Sequence, residues 1–182
     1  MLAAKQVADL ITALRASLFL ILPWLGLAQG QGGLPLAVWL MIANWTADSV
    51  DGSIARRSRI YYRTWIGDHD LEIDMAVSIG LLGYMVVADL LGWPLAALYV
   101  LLWALVFWRT GAHRSLGMLS QAPVYAWFIL VSIREAPASG WWTVFWILAA
   151  VVITWPKFPK EIVPGFLSGM RKVHHPDQRP SH

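Results

Sequence analysis

Stretches without a single Asp, Glu, Lys or Arg recur along this chain, each long enough to cross roughly 30 Å of hydrocarbon as a helix. Leu90–Trp108, Ser115–Ile133 and Ala136–Pro156 are the clearest. Ala16–Ala47 is too long for one crossing and is interrupted by Gln29-Gly30-Gln31-Gly32-Gly33, so it reads as two helices joined by a tight turn. One more helix is expected to start near Ile66 and run through Met75–Ala88, with ionisable residues in its first turns. Six transmembrane helices result. In lipid the backbone has no water to bond, so such runs must satisfy their own N–H and C=O groups, as a helix does. The composition agrees. The 182 residues are 58% hydrophobic and 14% charged, against about 25% charged in soluble domains.

The basic residues test this plan, because cytoplasmic loops are enriched in Lys and Arg. Lys5 and Arg15 precede or open the first span. Arg56, Arg57, Arg59 and Arg63 lie between the second and third, and Arg109 and Arg114 between the fourth and fifth. Lys157, Lys160, Arg171, Lys172 and Arg179 lie in the tail, so of the 14 Lys and Arg only Arg134 falls on the other side. The expectation is a multi-pass protein of the cytoplasmic (inner) membrane with both termini cytoplasmic. The net charge of +3 then reflects topology and not nucleic acid. Residues 1–14 have apolar Leu2, Val7, Leu10, Ile11 and Leu14 at helical spacing and are expected to lie along the membrane surface before turning into span one. Residues 1–156 form the membrane domain and 157–182 a basic cytoplasmic tail. A cleaved signal peptide ending at Gly26-Leu27-Ala28 is the competing reading of the N-terminus; the spans that follow weigh against it. Most of the twelve tryptophans are expected in the interfacial belt, and Pro94, Pro123 and Pro137 near span ends, where proline disrupts least.

With no cysteine, disulfides, thiolate metal sites and cysteine nucleophiles are excluded, and any metal must be held by oxygen or imidazole. Six of the eleven acidic residues, Asp48, Asp51, Asp68, Asp70, Glu72 and Asp74, fall within 27 positions at the edges of spans. Charge placed in a membrane is expensive, by about 2.5–3.5 kcal/mol at the centre and less near the interface, so these carboxylates need compensation. Asp48 and Asp51 are three apart on one helix, Asp70 and Asp74 four apart on the next, and each pair shares a face. The connection between the two helices lets the pairs converge at the cytoplasmic side. Divalent cations with oxygen ligands, such as a pair of magnesium or manganese ions, would neutralise them, and a two-metal clamp suits in-line displacement at phosphorus. Gly52 removes a side chain, Ala55 keeps the same face shallow, and Arg56 offers a fork for phosphate oxygens. The alternative is ion pairing between the acids and adjacent arginines.

These residues resemble the signature of the CDP-alcohol phosphatidyltransferases. The chain reads Asp48-x-x-Asp51-Gly52-x-x-Ala55-Arg56 followed by Asp70-x-x-x-Asp74. The family's second glycine would fall at Ile66, whereas Gly67 stands one place later, and Met75 follows the last aspartate where many members read Ala-Asp-Lys. The segment from Asp9 to Arg15 is similar to the family's amphipathic lead-in, with Asp where Asn is usual. The resemblance implies a six-helix bundle around a cytoplasm-facing polar cavity, often a homodimer. It also implies metal held by Asp48, Asp51, Asp70 and Asp74, a CDP site formed by Asp48, Gly52, Ala55 and Arg56, and Asp74 as general base. A hydroxyl of an acceptor would attack the phosphorus of a CDP-linked lipid or alcohol, and CMP would leave. The donor, CDP-diacylglycerol or a soluble CDP-alcohol, and the acceptor stay open. So do the roles of His69, Glu72, Arg109, His113 and Arg114; the two arginines suit either a phosphate grip or topology anchors. A cation-coupled transporter or channel using the aspartates as an ion site is the rival class.

Overall fold

A computed structural model describes residues 2–57, 70–111, 113–155 and 164. Among the described residues the chain is helical throughout, with no strand. Its elements are α1 (Leu2–Gln29), a 3-10 turn (Gly30–Gly33), α2 (Leu34–Arg57), α3 (Asp70–Val87), α4 (Trp93–Thr110), α5 (Arg114–Glu135) and α6 (Pro137–Thr154). Four segments of the described chain are long and apolar enough to cross a membrane: Ile11–Ser49, Trp93–Thr110, Arg114–Glu135 and Pro137–Thr154. The protein is therefore membrane-embedded and multi-pass. The first segment contains α1 from Ile11 onward, the turn and most of α2. Helix α3 is not one of these four: it carries Asp70, Glu72 and Asp74 in its first turns, ahead of an apolar remainder.

Side-chain pairs fix the direction of each helix. Near the turn, Leu25 lies against Gly33, while at the other end Arg15 reaches Asn44 and Asp48, so α1 and α2 are antiparallel. Gly80 backs onto Phe19 and Gly83 onto Pro23, and Gly26 meets Tyr84 and Val87; α1 and α3 therefore run parallel. Trp39 stacks near Trp142 and Trp45 near Trp146, which makes α2 and α6 parallel. Tyr99 donates its hydroxyl proton to the Ser120 carbonyl, and Trp127 bonds the Leu90 carbonyl just before α4, so α4 and α5 run in opposite directions. The bundle alternates up and down, and the starts of α1, α3 and α5 share one end with the finishes of α2, α4 and α6.

The core joins α1, α2, α3 and α5 through Leu22, Leu25, Met41, Val77, Leu81, Tyr84 and Phe128. Helix association in lipid depends on close packing of small residues, and the α1–α3 contact is one example. A Cβ on Gly80 would lie 2.7 Å from Phe19 Cα and 2.9 Å from its carbonyl oxygen. These are backbone atoms that cannot swing aside. Helix α4 is peripheral: Ala96 is its buried residue, while Trp93, Leu98, Leu101 and Trp108 are exposed, as suits a surface facing acyl chains.

Three features differ from the sequence reading. The surface helix 1–14 and span one are a single helix, α1, whose 28 residues amount to ~42 Å, and no turn separates them. Helix α4 starts at Trp93 and not Leu90: Asp89 takes a left-handed conformation (φ 57°), Gly92 is extended, and Pro94 falls in the first helical turn. Pro123 lies inside α5 and not at its end, so the helix there forgoes one backbone hydrogen bond. Residues 58–69, which include the expected helix start at Ile66, and the tail 157–182 apart from residue 164 lie outside the described residues.

Candidate functional site

Three helices meet at the end of the bundle where α1 and α3 begin and α2 finishes. Asn44 and Asp48 are four apart on α2 and therefore face the same way, toward α1. Between them and α3 sits Arg15, whose side chain is 3% exposed. Its Nε donates to Asn44 Oδ1 at 3.3 Å. Its Nη2 donates to Asp48 Oδ1 at 3.1 Å and also to Asp74 Oδ1 of α3. One guanidinium atom thus gathers carboxylates from two helices, over 59 residues of sequence in the case of Asp74.

The electrostatics of this trio are uneven. A buried guanidinium is tolerated where charged hydrogen bonds replace its water, and here two carboxylates and an amide do so. The carboxylates themselves open outward, with the Asp48 side chain 47% exposed and that of Asp74 28%. Arg15 thus sets one positive charge between two negative ones.

Beside Asp48 lies a cleft of about 250 Å³ between α2, α5 and α6, lined by Trp45, Asp48, Ser49, Tyr125, Trp146 and Ile147 among others. Its walls are aromatic. Tyr125 stands edge-on to Trp45 at 5.6 Å and Trp146 lies 5.5 Å from Trp45. Trp146 is fixed by a 2.9 Å bond from Nε1 to Thr46 Oγ1. Tyr125 donates to Gln121 Oε1 at 3.2 Å and lies within reach of the charges of Asp74, Arg15 and Asp48. The cleft is mainly apolar, with Asp48 as its charged wall.

Of the residues singled out from sequence, Asp48 and Asp74 are brought together. Asp51, Gly52, Ala55 and Arg56 occupy the last turns of α2, and Asp70 opens α3; their side chains lie outside the described residues, as do Asp68 and His69. By backbone position Asp51 and Asp70 each sit one turn nearer the bundle end than Asp48 and Asp74. Glu72 is exposed. Arg109, His113 and Arg114 bracket the turn between α4 and α5, at the same end of the bundle, and all are exposed; His113 Nδ1 lies 3.2 Å from the Gly111 carbonyl oxygen.

Sequence reasoning missed the part played by Arg15, Asn44, Gln121 and Tyr125. It treats Arg15 as an orienting charge, whereas the structure buries it. It offers ion pairing to adjacent arginines as the alternative to metal; among the described residues Arg15 of α1 pairs Asp48 and Asp74, and the side chains of Arg56, Arg57, Arg59 and Arg63 lie outside the described residues. The available signal was the register of Asn44 with Asp48, a polar residue one turn deeper on the same face. For a metal, the donor chemistry fits. Carboxylate oxygens are the ligands magnesium and manganese prefer, and Asp48 and Asp74 already share one partner atom. Among the described residues no group of three or more His, Asp or Glu side chains is gathered, so a complete ligand set would need Asp51 and Asp70. No family model matches this chain, and no curated protein or solved structure was found to be similar to it.

Proposed function

We propose that the chain is a metal-dependent CDP-alcohol phosphotransferase of the cytoplasmic membrane, with six transmembrane helices, both termini cytoplasmic, and the aspartate end of the bundle opening to the cytoplasm. The observation that supports it is the meeting of Asp48 and Asp74, the outer members of the Asp48-x-x-Asp51-Gly52-x-x-Ala55-Arg56 and Asp70-x-x-x-Asp74 pattern, on one guanidinium. Aspartates from both halves of that pattern need to act at one place for phosphoryl chemistry.

In this reading Asp48, Asp51, Asp70 and Asp74 would hold magnesium or manganese, which would supply charge stabilisation at the diphosphate. Gly52 and Ala55 let the CDP moiety approach α2, and Arg56 binds its phosphate oxygens. Asp74 accepts the proton of the acceptor hydroxyl. That oxygen bonds to the phosphorus bearing the donor alcohol, the P–O bond to CMP breaks, and CMP leaves with the electron pair. Arg15 keeps the Asp74 carboxylate in place. The donor that suits the apolar cleft beside Asp48 is a lipid, CDP-diacylglycerol, and the enzyme works as a homodimer in phospholipid synthesis.

Purified protein supplied with CDP-diacylglycerol and a panel of hydroxyl acceptors should release CMP only with Mg2+ or Mn2+ present. No release with any donor and acceptor pair would sink the reading. Asp74→Asn should abolish turnover while leaving CDP-donor binding largely intact; if binding is lost as well, Asp74 serves only to hold metal and is not the base.

A second reading is favoured by the buried charge of Arg15, since ionisable groups within membrane helices also mark ion paths. A cation-coupled transporter or channel would carry ion flux in proteoliposomes without CMP release. The two assays separate the classes.

A further inference from the structure

Arg15 is neither a metal ligand nor a substrate-binding group in the proposed reaction. It comes from α1, outside the aspartate pattern on α2 and α3, yet it is 3% exposed and its Nη2 bonds Oδ1 of both Asp48 and Asp74. Its Nε is held by Asn44, so the plane of the guanidinium is set from both edges. Three consequences follow from charge and geometry. The bonds fix the separation of α2 and α3 at the site. They bring one positive charge to Asp48 and Asp74 together. They also place a monovalent cation against the same carboxylate oxygens that a divalent ion would use.

Resting on the reading of Asp48 and Asp74 as metal ligands, we infer that Arg15 is a resident counter-cation competing with the divalent ion for these two carboxylates. It is a positioning residue. With no metal bound it prevents Asp48 and Asp74 from repelling one another, and it lowers the site's affinity for metal, because an entering cation must take carboxylate oxygens from the guanidinium or accept a positive neighbour. Coulomb repulsion at such separations is large in a partly buried setting. The chain then holds its aspartates assembled before metal and substrate arrive, at the expense of looser metal binding.

The test is a thermal-shift titration with Mn2+ on the full chain in detergent, comparing wild type with Arg15→Gln and Arg15→Lys. Without metal, Arg15→Gln should melt below wild type. Its Mn2+ midpoint should be lower by about tenfold or more, so that metal restores more stability to the variant than to wild type. Arg15→Lys keeps the charge but loses the second donor that anchors the group to Asn44; its midpoint should fall between the two. If Arg15→Gln cannot be purified without metal, the Arg15→Lys shift decides alone, in the same direction. An unchanged or higher midpoint in the variants overturns the inference, as does a wild type and variants that all ignore Mn2+. Failure of the transferase reading is distinguishable: it would show as no CMP release from protein whose Mn2+ midpoints still move as stated.

Discussion

Arg15 illustrates what a single residue can and cannot reveal before it is placed in three dimensions. In sequence it lies at the start of an uncharged run, and a positive charge there is accounted for by topology alone. Its burial against Asn44, Asp48 and Asp74 depends on α1 packing along α3, and no local pattern encodes that contact. The aspartates were legible for the opposite reason. Spacings of three and four on a helix fix a shared face without knowledge of the partner, and the structure brings Asp48 and Asp74 to one atom. Removing Arg15 would leave carboxylates from two helices without their common cation, a change of the kind that costs roughly 3–5 kcal/mol for buried pairs. Since both carboxylates are partly exposed, Arg15→Ala should fall toward the lower end of that range. Chemical or thermal unfolding in detergent would read it, and a variant as stable as wild type would contradict the picture of Arg15 as the tie between helices.

At the scale of helices, hydropathy located the elements well and their ends less well. Helices α5 and α6 match the runs Ser115–Ile133 and Ala136–Pro156 to within about a turn. The start of α4 was missed because Leu90 and Leu91 are as apolar as the helix that follows; the left-handed Asp89 and extended Gly92 end one helix and delay the next. Pro123 was expected at an end and stands in the interior of α5, since apolar composition carries no information about a missing backbone donor. The α1–α3 crossing is encoded by small residues whose partners only the fold reveals. Gly80→Ala would force a methyl to within 2.7 Å of Phe19 Cα, so the helices must part; overpacking of this kind costs about 1–3 kcal/mol. Gly32→Ala, with nothing within 4 Å of its Cβ position, is the matched control. Comparable melting temperatures for the two variants would mean that the crossing is looser than described.

Over the whole molecule, the alternation of helix directions puts the aspartates, Arg15 and the Arg109–Arg114 turn at one end, and the turns at Gly30–Gly33 and Ala88–Gly92 at the other. If that first end is cytoplasmic, as the basic residues imply, reagent access should divide accordingly. Because the chain has no cysteine, single cysteines can report it directly. Gln31→Cys and Asp89→Cys should react with an impermeant maleimide from outside the cytoplasmic membrane, and His113→Cys only after the membrane is opened. Labelling of all three from one side would refute the alternating plan. The central claim is narrower than topology: the aspartates of α2 and α3 act together on metal. Its most direct measurement is the Mn2+ stoichiometry of purified protein by electron paramagnetic resonance with CDP present. The account predicts about two ions per chain, showing mutual magnetic coupling, with binding lost in both Asp51→Asn and Asp70→Asn. No stoichiometric binding, or binding indifferent to both substitutions, would contradict it.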